Sequence, residues 1–184
     1  MIKRIIDFIL ACVAMIVLSP IFLFICIAIK MESKGPVFFG QKRVGKGKKL
    51  FTMLKFRSMR IDTPKDVPTH LLDNPEQYIT KVGAFLRKTS LDELPQILHI
   101  ISGKMAIIGP RPALYNQDDL VAERDKYHAN DLVPGLTGWA QINGRDELEI
   151  PVKAKLDGEY ASNISFRFYV KIFFLTIYLV LKRD

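Results

Sequence analysis

Asp92 and Glu93 stand side by side within Thr89-Ser90-Leu91-Asp92-Glu93-Leu94-Pro95-Gln96, the most chemically loaded segment of the chain. Adjacent acids ahead of an apolar helical run have a structural use. Ser90 with Glu93 three residues later makes a capping box, and acids favour a helix N-terminus. Pro95 argues against that register, because it would fall inside the helix where its missing N–H matters. With Asp92 as the cap, Pro95 lands in the first turn and is tolerated. In either register both carboxylates sit where unpaired N–H groups and the helix dipole depress a carboxylate's pKa and attract phosphate. They also have a chemical use, with one acid as nucleophile or metal ligand and the other as base or orienter.

Three other segments could serve a phosphate-bearing ligand. In Gly109-Pro110-Arg111-Pro112 the prolines restrict the backbone around Arg111, whose guanidinium fork matches phosphate oxygens; the alternative is a proline turn with a solvated arginine. Lys55-Phe56-Arg57 alternates cation, aromatic and cation, so on a strand both cations face one way, as a phosphate clamp or as an ordinary wet face. Pro134-Gly135-Leu136-Thr137-Gly138-Trp139-Ala140-Gln141 supplies glycines for close backbone approach, the only tryptophan and an amide, and Asn143-Gly144-Arg145 adds a turn ending in a cation. Trp139 has three uses open to it: stacking on a ligand, the membrane interface, or the core.

The elements that must position these residues are short. Aromatic-rich runs at residues 36–39 and 50–56 flank Gly45-Lys46-Gly47-Lys48-Lys49 and predict a β-hairpin. Residues 63–75 read as a polar surface loop, and residues 78–88 as an amphipathic helix with Val82, Phe85 and Leu86 on one side. Apolar residues recur at helical spacing over 94–101, an apolar stretch follows at 105–108, and 116–129 reads as a polar helix. Residues 133–145 are rich in turn formers. The tail, 164–184, is apolar and aromatic with Arg167 and Lys171 one helical turn apart; it suits a helix that lies in the interface or docks on the domain.

The N-terminus supplies an anchor. Residues 8–29 carry no charge, Lys3 and Arg4 precede them, and Lys30 and Lys34 follow. A straight helix of that length reaches about 33 Å, enough for a hydrocarbon core of about 30 Å. Ser19-Pro20 interrupts the run near its middle. Proline loses one helical hydrogen bond and predicts a bend, and Ser19 is placed to bond the carbonyl that is freed. Positive charge on both flanks gives no clear cytoplasmic end. The segment therefore reads as a re-entrant helix that returns to its own face, with a single span as the competitor. The apolar run is too long for a signal peptide and lacks a cleavage site.

Composition narrows the classes. The chain has 184 residues, and 27 Lys and Arg against 19 Asp and Glu leave a charge of +8. That excess suits anionic headgroups or a phosphate ligand. Aromatics do not interleave with the basic residues outside the hairpin and no nucleic-acid motif occurs, so nucleic acid is not expected as a partner. Cys12 and Cys26 both lie in the apolar run and imply no disulfide framework; His70, His99 and His128 have no ligand spacing.

Taken in order, the Ser-Pro helix, Lys-Phe-Arg-Ser-Met, Asp-Glu-Leu-Pro-Gln, Gly-Pro-Arg-Pro and Pro-Gly-Leu-Thr-Gly-Trp-Ala-Gln-Ile-Asn-Gly-Arg resemble the monotopic phosphoglycosyl transferases, or bacterial sugar transferases, over nearly the whole chain. The chain looks like a minimal, single-domain member. The resemblance implies transfer of a phosphosugar from a UDP-sugar to undecaprenyl phosphate with release of UMP, the first membrane step of bacterial glycoconjugate assembly. It implies that Asp92 attacks the β-phosphorus, forms a covalent phosphosugar intermediate and ligates Mg²⁺, with Glu93 as the second catalytic acid. Arg111, between Pro110 and Pro112, matches the phosphate-binding arginine, and Lys55, Arg57, Arg87, Gln141 and Arg145 match positions near the substrate. Ser19 and Pro20 take the part of the re-entrant break. The expected partners are the UDP-sugar, the polyprenol phosphate and membrane lipids, at the cytoplasmic face of the bacterial inner membrane.

The expected architecture is α+β, mainly helical with a small β-hairpin. It divides into a re-entrant helix (1–30), a cytosolic catalytic domain (31–163) and a C-terminal interfacial or docking helix (164–184). Relatives usually carry Gly-Asp-Met where this chain has Gly103-Lys104-Met105, and often an aspartate after the Asn-x-Ser, where Phe166 follows Asn163-Ile164-Ser165. The alternatives are a membrane-tethered basic protein that binds lipid or nucleic acid without turnover, and a glycosyltransferase that passes the sugar without phosphate. Nothing in the sequence identifies the sugar.

Overall fold

The computed structural model describes residues 2–63, 75–144 and 147–182. Its elements are α1 (Ile2–Glu32), β1 (Phe38–Val44), β2 (Leu50–Phe56), α2 (Lys81–Thr89), α3 (Gln96–Ile101), β3 (Ala106–Ile108), α4 (Asp118–Asp125), β4 (Gly135–Thr137), α5 (Trp139–Ile142), α6 (Ile150–Ser162) and α7 (Phe166–Leu181). The fold is α+β, dominated by helix, with β1 and β2 forming the expected hairpin. The loop predicted over 63–75 falls mostly outside the described residues.

α1 continues through Pro20 rather than ending there. Proline at position 20 cannot donate to the carbonyl of residue 16, and the Ser19 hydroxyl donates to Ile16 O in its place at 2.7 Å. The predicted partner is therefore present, and the helix survives the lost amide. α1 is the one helix among the described residues long and apolar enough to cross a bilayer. Ile16 is 74% and Phe24 72% exposed, and Val17 and Leu23 are bare beside them. A contiguous apolar surface of this kind is rare on soluble monomers and suits lipid.

By compactness the chain forms two units, and α1 contributes to both. One comprises Val13–Gln41 and Leu54–Ile97. Its core is Ile25, Ile29, Phe56 and Leu86, with Phe22 and Cys26 packed against it. Residues 22, 25, 26 and 29 follow the i, i+3, i+4, i+7 spacing of one helix stripe, so one face of α1 is protein core and another is bare. Phe56 meets Phe22 at 4.7 Å and stacks on Phe38 at 5.6 Å between ring centroids.

At its C-terminal end α1 caps α2. Glu32 Oε1 accepts from Lys81 N at 2.6 Å, Glu32 Oε2 accepts from Val82 N at 3.0 Å, and the Thr80 hydroxyl accepts from Gly83 N at 2.9 Å. The orphan donors of the helix start are thus satisfied, with a carboxylate at the positive end of the dipole. Val82 and Leu86 pack in the core, whereas Phe85, expected beside them, is exposed. Gly83 lies directly against Ser58 and draws the neighbouring face of α2 inward.

The other unit comprises Met1–Cys12, Lys42–Met53 and Leu98–Asp184. Ile108, Tyr160, Tyr169 and Ile172 form its centre. Here the structure adds an element that the sequence reading lacked. β3 and β4 pair in parallel, Ala106 against Gly135 and Ile108 against Thr137, with α4 in the crossover. The stretch read as turns contains β4 and the short α5. α4 packs on α6, α6 on α5, and α7 on α5 and β3. The Ser165 hydroxyl caps α7 by accepting from Phe168 N at 3.2 Å.

The first turn of α1 is bound to this unit by polar groups. Lys3 Nζ donates to Ile108 O at 2.6 Å, and Arg4 donates to Ile100 O and to Ile101 O, the latter at 2.9 Å. Asp7, buried, accepts from the Tyr169 hydroxyl at 2.8 Å. Burial and the contact with Asp7 push the Tyr169 phenol well above its ordinary range, so it stays a donor. Cations that the sequence reading assigned to membrane orientation are thus spent on carbonyls of the protein.

Candidate active site

The acid pair is delivered by a chain reversal. α2 ends at Ser90, whose backbone is left-handed (φ 57°, ψ 16°) and whose N–H donates to Arg87 O at 3.3 Å. For a residue with a Cβ this conformation costs roughly 1 kcal/mol. A single 3-10 turn, Leu91–Glu93, follows, and then Pro95 just ahead of α3. Pro95 therefore removes no helical hydrogen bond. The Ser90 side chain makes no capping hydrogen bond to the 3-10 turn, so the capping-box register, against which Pro95 argued, is not formed. Ser90 instead terminates the preceding helix.

Lys55, near the end of β2, reaches both acids. Its Nζ lies 2.8 Å from Glu93 Oε1 and 3.8 Å from Asp92 Oδ2. The Asp92 side chain is only 12% exposed. Burial raises its pKa above the ordinary 3.8, Lys55 and then Arg87 pull it down, and Glu93 pushes it up. The sequence reading expected a depressed carboxylate at a helix start; desolvation outweighs the nearby positive charge instead. Burial and two nearby cations thus act on this carboxylate in opposite directions, the kind of perturbed group that marks a candidate site.

Lys55, Arg87, Asp92 and Glu93 are thus brought together. Arg57 is not part of that cluster. Its guanidinium is buried and donates to Lys34 O at 2.6 Å and to Ser33 O and Ser33 Oγ at 2.9 Å. Arg57 ties the exit of α1 to the end of β2. Gly35, with φ 121°, is required at that turn, because a Cβ would strike the Arg57 guanidinium.

The glycine-rich motifs, separate in sequence, are hydrogen-bonded to each other in the other unit. Gly109 N donates to Thr137 O and Gly135 N to Pro110 O, both at 2.9 Å. A Cβ on Gly138 would strike Gly109 O, so only glycine allows the approach. Pro110 and Pro112 are buried and Arg111 is half-buried between them. Gln141 donates from Nε2 to Leu136 O at 3.3 Å, and its buried Oε1 has no hydrogen-bond partner. Arg145 lies outside the described residues.

Trp139 packs mainly inward: its Nε1 donates to Glu159 Oε2 at 2.9 Å, Lys171 Nζ sits 5.1 Å from the ring, and Phe168 meets it edge-on at 4.9 Å. It borders an open cavity of about 540 Å³ with Glu159, Ser162, Asn163, Ile164, Ser165 and Phe168, which contains none of the residues that the resemblance places at the substrate.

The sequence reading missed Arg124 and Asp157. Arg124 Nε and Nη2 donate to Asp157 Oδ2 at 2.8 and 2.6 Å, and Arg124 Nη1 donates to Arg111 O at 3.0 Å. Arg124 sits on a stretch read as a polar helix, Asp157 on α6, for which the sequence reading gave no element, and no local pattern marks their burial.

A long apolar helix, a cation-flanked buried carboxylate in one unit and a proline-braced arginine in the other are parts that suit a membrane-bound group-transfer protein. The chain matches the family model for bacterial sugar transferases over residues 1–183 and belongs to that family. It is 39% identical to the UDP-glucose:undecaprenyl-phosphate glucose-1-phosphate transferase of Escherichia coli K12, over 97% of this chain and 40% of that protein. It is 39% identical to the uncharacterized sugar transferase EpsL of Bacillus subtilis, over 97% of this chain and 87% of that one. Similarity to the exopolysaccharide production protein PSS of Rhizobium leguminosarum is 38% over 95% of this chain and 92% of that one. The chain thus spans about two fifths of the Escherichia coli relative's length and most of the other two.

Proposed function

We propose that the chain is a phosphoglycosyl transferase that moves a phosphosugar from a UDP-sugar to undecaprenyl phosphate and releases UMP. The observation that carries the reading is the buried Asp92 carboxylate with Lys55 at 3.8 Å, beside Glu93. The named activity of the Escherichia coli relative supports the donor and acceptor classes. In the first step an Asp92 oxygen bonds to the β-phosphorus, the bond from that phosphorus to the bridging oxygen breaks, and UMP leaves with the electron pair. The acyl phosphate is then attacked by a phosphate oxygen of the lipid, which frees the Asp92 carboxylate and leaves a polyprenol diphosphate sugar. Splitting the transfer lets a soluble donor and a lipid acceptor bind in turn. Lys55 and Arg87 favour the ionised nucleophile, Glu93 acts as the second acid, and Arg111 balances phosphate charge.

Asp92 and Glu93 offer hard oxygen donors suited to Mg²⁺, and among the described residues no group of three or more metal-binding side chains exists. That donor set fits an ion held by one or two carboxylates and completed by substrate phosphates. Bound there, Mg²⁺ supplies charge neutralisation at the phosphoryl oxygens.

The membrane part of the reading is a re-entrant α1. Arg4 binds carbonyls of Ile100 and Ile101, and Glu32 binds the amides of Lys81 and Val82. The stretch that links those partners carries Arg87, Lys88, Asp92 and Glu93 and is too polar to cross lipid. On this reading α1 enters and leaves by one face, the cytoplasmic face of the inner membrane. Tags placed before and after the apolar run should both react from the cytoplasm, and Pro20→Ala should shift molecules toward a span; opposite exposure in the unmodified chain overturns re-entry.

The enzymatic test uses purified protein, a panel of UDP-sugars, undecaprenyl phosphate and Mg²⁺. UMP should appear with at least one donor, and labelled donor without acceptor should leave phosphosugar on Asp92. UDP as the nucleotide product would indicate direct glycosyl transfer and defeat the proposal.

A further inference from the structure

We propose that the buried pair of Arg124 and Asp157 positions Arg111 by gripping its backbone. This rests on the reading of Arg111 as a phosphate ligand. Arg124 on α4 is 4% exposed and Asp157 on α6 is 1% exposed. A guanidinium is a rigid planar fork. With Nε and Nη2 both fixed on Asp157 Oδ2 at 2.8 and 2.6 Å, its plane is set, and Nη1 is delivered to Arg111 O at 3.0 Å.

The loop needs such a grip because two of its residues are prolines and offer no N–H. It is held through its carbonyls instead. Pro110 O accepts from Gly135 N at 2.9 Å, Arg111 O from Arg124, and Pro112 O from Arg43 Nη1 at 3.0 Å. Three successive carbonyls engaged in this way fix the Cα from which the Arg111 side chain starts. Packing alone does not call for the pair, since apolar residues of similar volume commonly replace a buried ion pair without loss of stability. A donor aimed at one particular carbonyl is what apolar residues cannot supply.

The test is a double-mutant cycle on kcat/KM for UMP release, with the thermal midpoint measured alongside. The paired replacement Arg124→Met with Asp157→Leu removes the grip and leaves no buried charge unpaired. Its midpoint should stay within a few degrees of the unmodified protein, and kcat/KM should fall at least tenfold. Introduced into Arg111→Ala, the same replacement should cost less than a further twofold, because the residue it positions is gone. Losses that multiply in the cycle, or full turnover in the folded paired variant, overturn the proposal while leaving Arg111 as a phosphate ligand. An Arg111→Ala protein with unchanged kcat/KM overturns the underlying reading and this inference with it. Should the apolar pair fail to fold, Arg124→Lys keeps a charge opposite Asp157 but gives up the fork, and carries the same expectations.

Discussion

Asp92→Asn will remove UMP release and at the same time raise the thermal midpoint of the protein. The first effect follows from losing the only atom assigned to form the bond to phosphorus, and a loss of at least ~10³-fold in kcat is expected. The second follows from the direction of the Asp92 pKa. Burial raises it above 3.8, so the folded protein holds that proton more tightly than the unfolded chain does. Below 3.8 both states are protonated and the group contributes nothing to stability. As pH rises above 3.8 the unfolded chain gives up the proton first, the cost of a buried charge accrues, and it is complete once pH has passed the raised folded value. Asparagine mimics the neutral form and avoids that cost. The Asp92 side chain keeps some solvent contact, which moderates the penalty, so a rise of roughly 2 °C is expected at neutral pH. The gain should vanish in acid. Calorimetry of both proteins across pH, with UMP release measured alongside, checks both halves. A lower midpoint in the variant at neutral pH would mean that Lys55 and Arg87 outweigh burial.

Lys55→Met should cost about 10²-fold in kcat/KM at neutral pH and move the acid limb of the pH–rate profile upward. Lys55 is the largest single influence that lowers the Asp92 pKa, and Arg87 comes after it and after the opposing charge of Glu93. Without the ammonium, burial acts with less opposition and more of the enzyme is protonated at any given pH. Part of the lost rate should return as pH rises, and the part that does not measures contact between Lys55 and substrate. The full pH–rate profile of the variant separates the two. An acid limb that stays in place would remove Lys55 from the control of Asp92.

Several of the candidate motifs could be picked out of the sequence because their signals are local. The acid pair, the proline-braced arginine and the Ser-Pro dipeptide are contiguous, and the Ser19 hydroxyl meets the freed carbonyl of Ile16 as expected. What escaped depends on partners far along the chain. Arg57 is separated from Ser33 by 24 residues and Arg124 from Asp157 by 33, so composition alone reads each as a solvated charge. β3 and β4 are three residues each, too short for any periodicity to declare, and their pairing exists only once the chain has crossed over by way of α4. Ser90 is a different case, since the capping box was one of two registers and Pro95 argued against it. A serine ahead of acids has the composition of a helix start, and only its left-handed backbone reveals a helix end.

The stripe of α1 formed by Phe22, Ile25, Cys26 and Ile29 belongs to the same core as Phe56 and Leu86. The greasy segment is consequently not a detachable tether. Excising it to obtain a water-soluble version would strip the lining from the hydrophobic centre beneath β2 and α2, and would take away the carboxylate that begins α2. The same helix therefore carries both the bare apolar face and one wall of the core that β2 and α2 share.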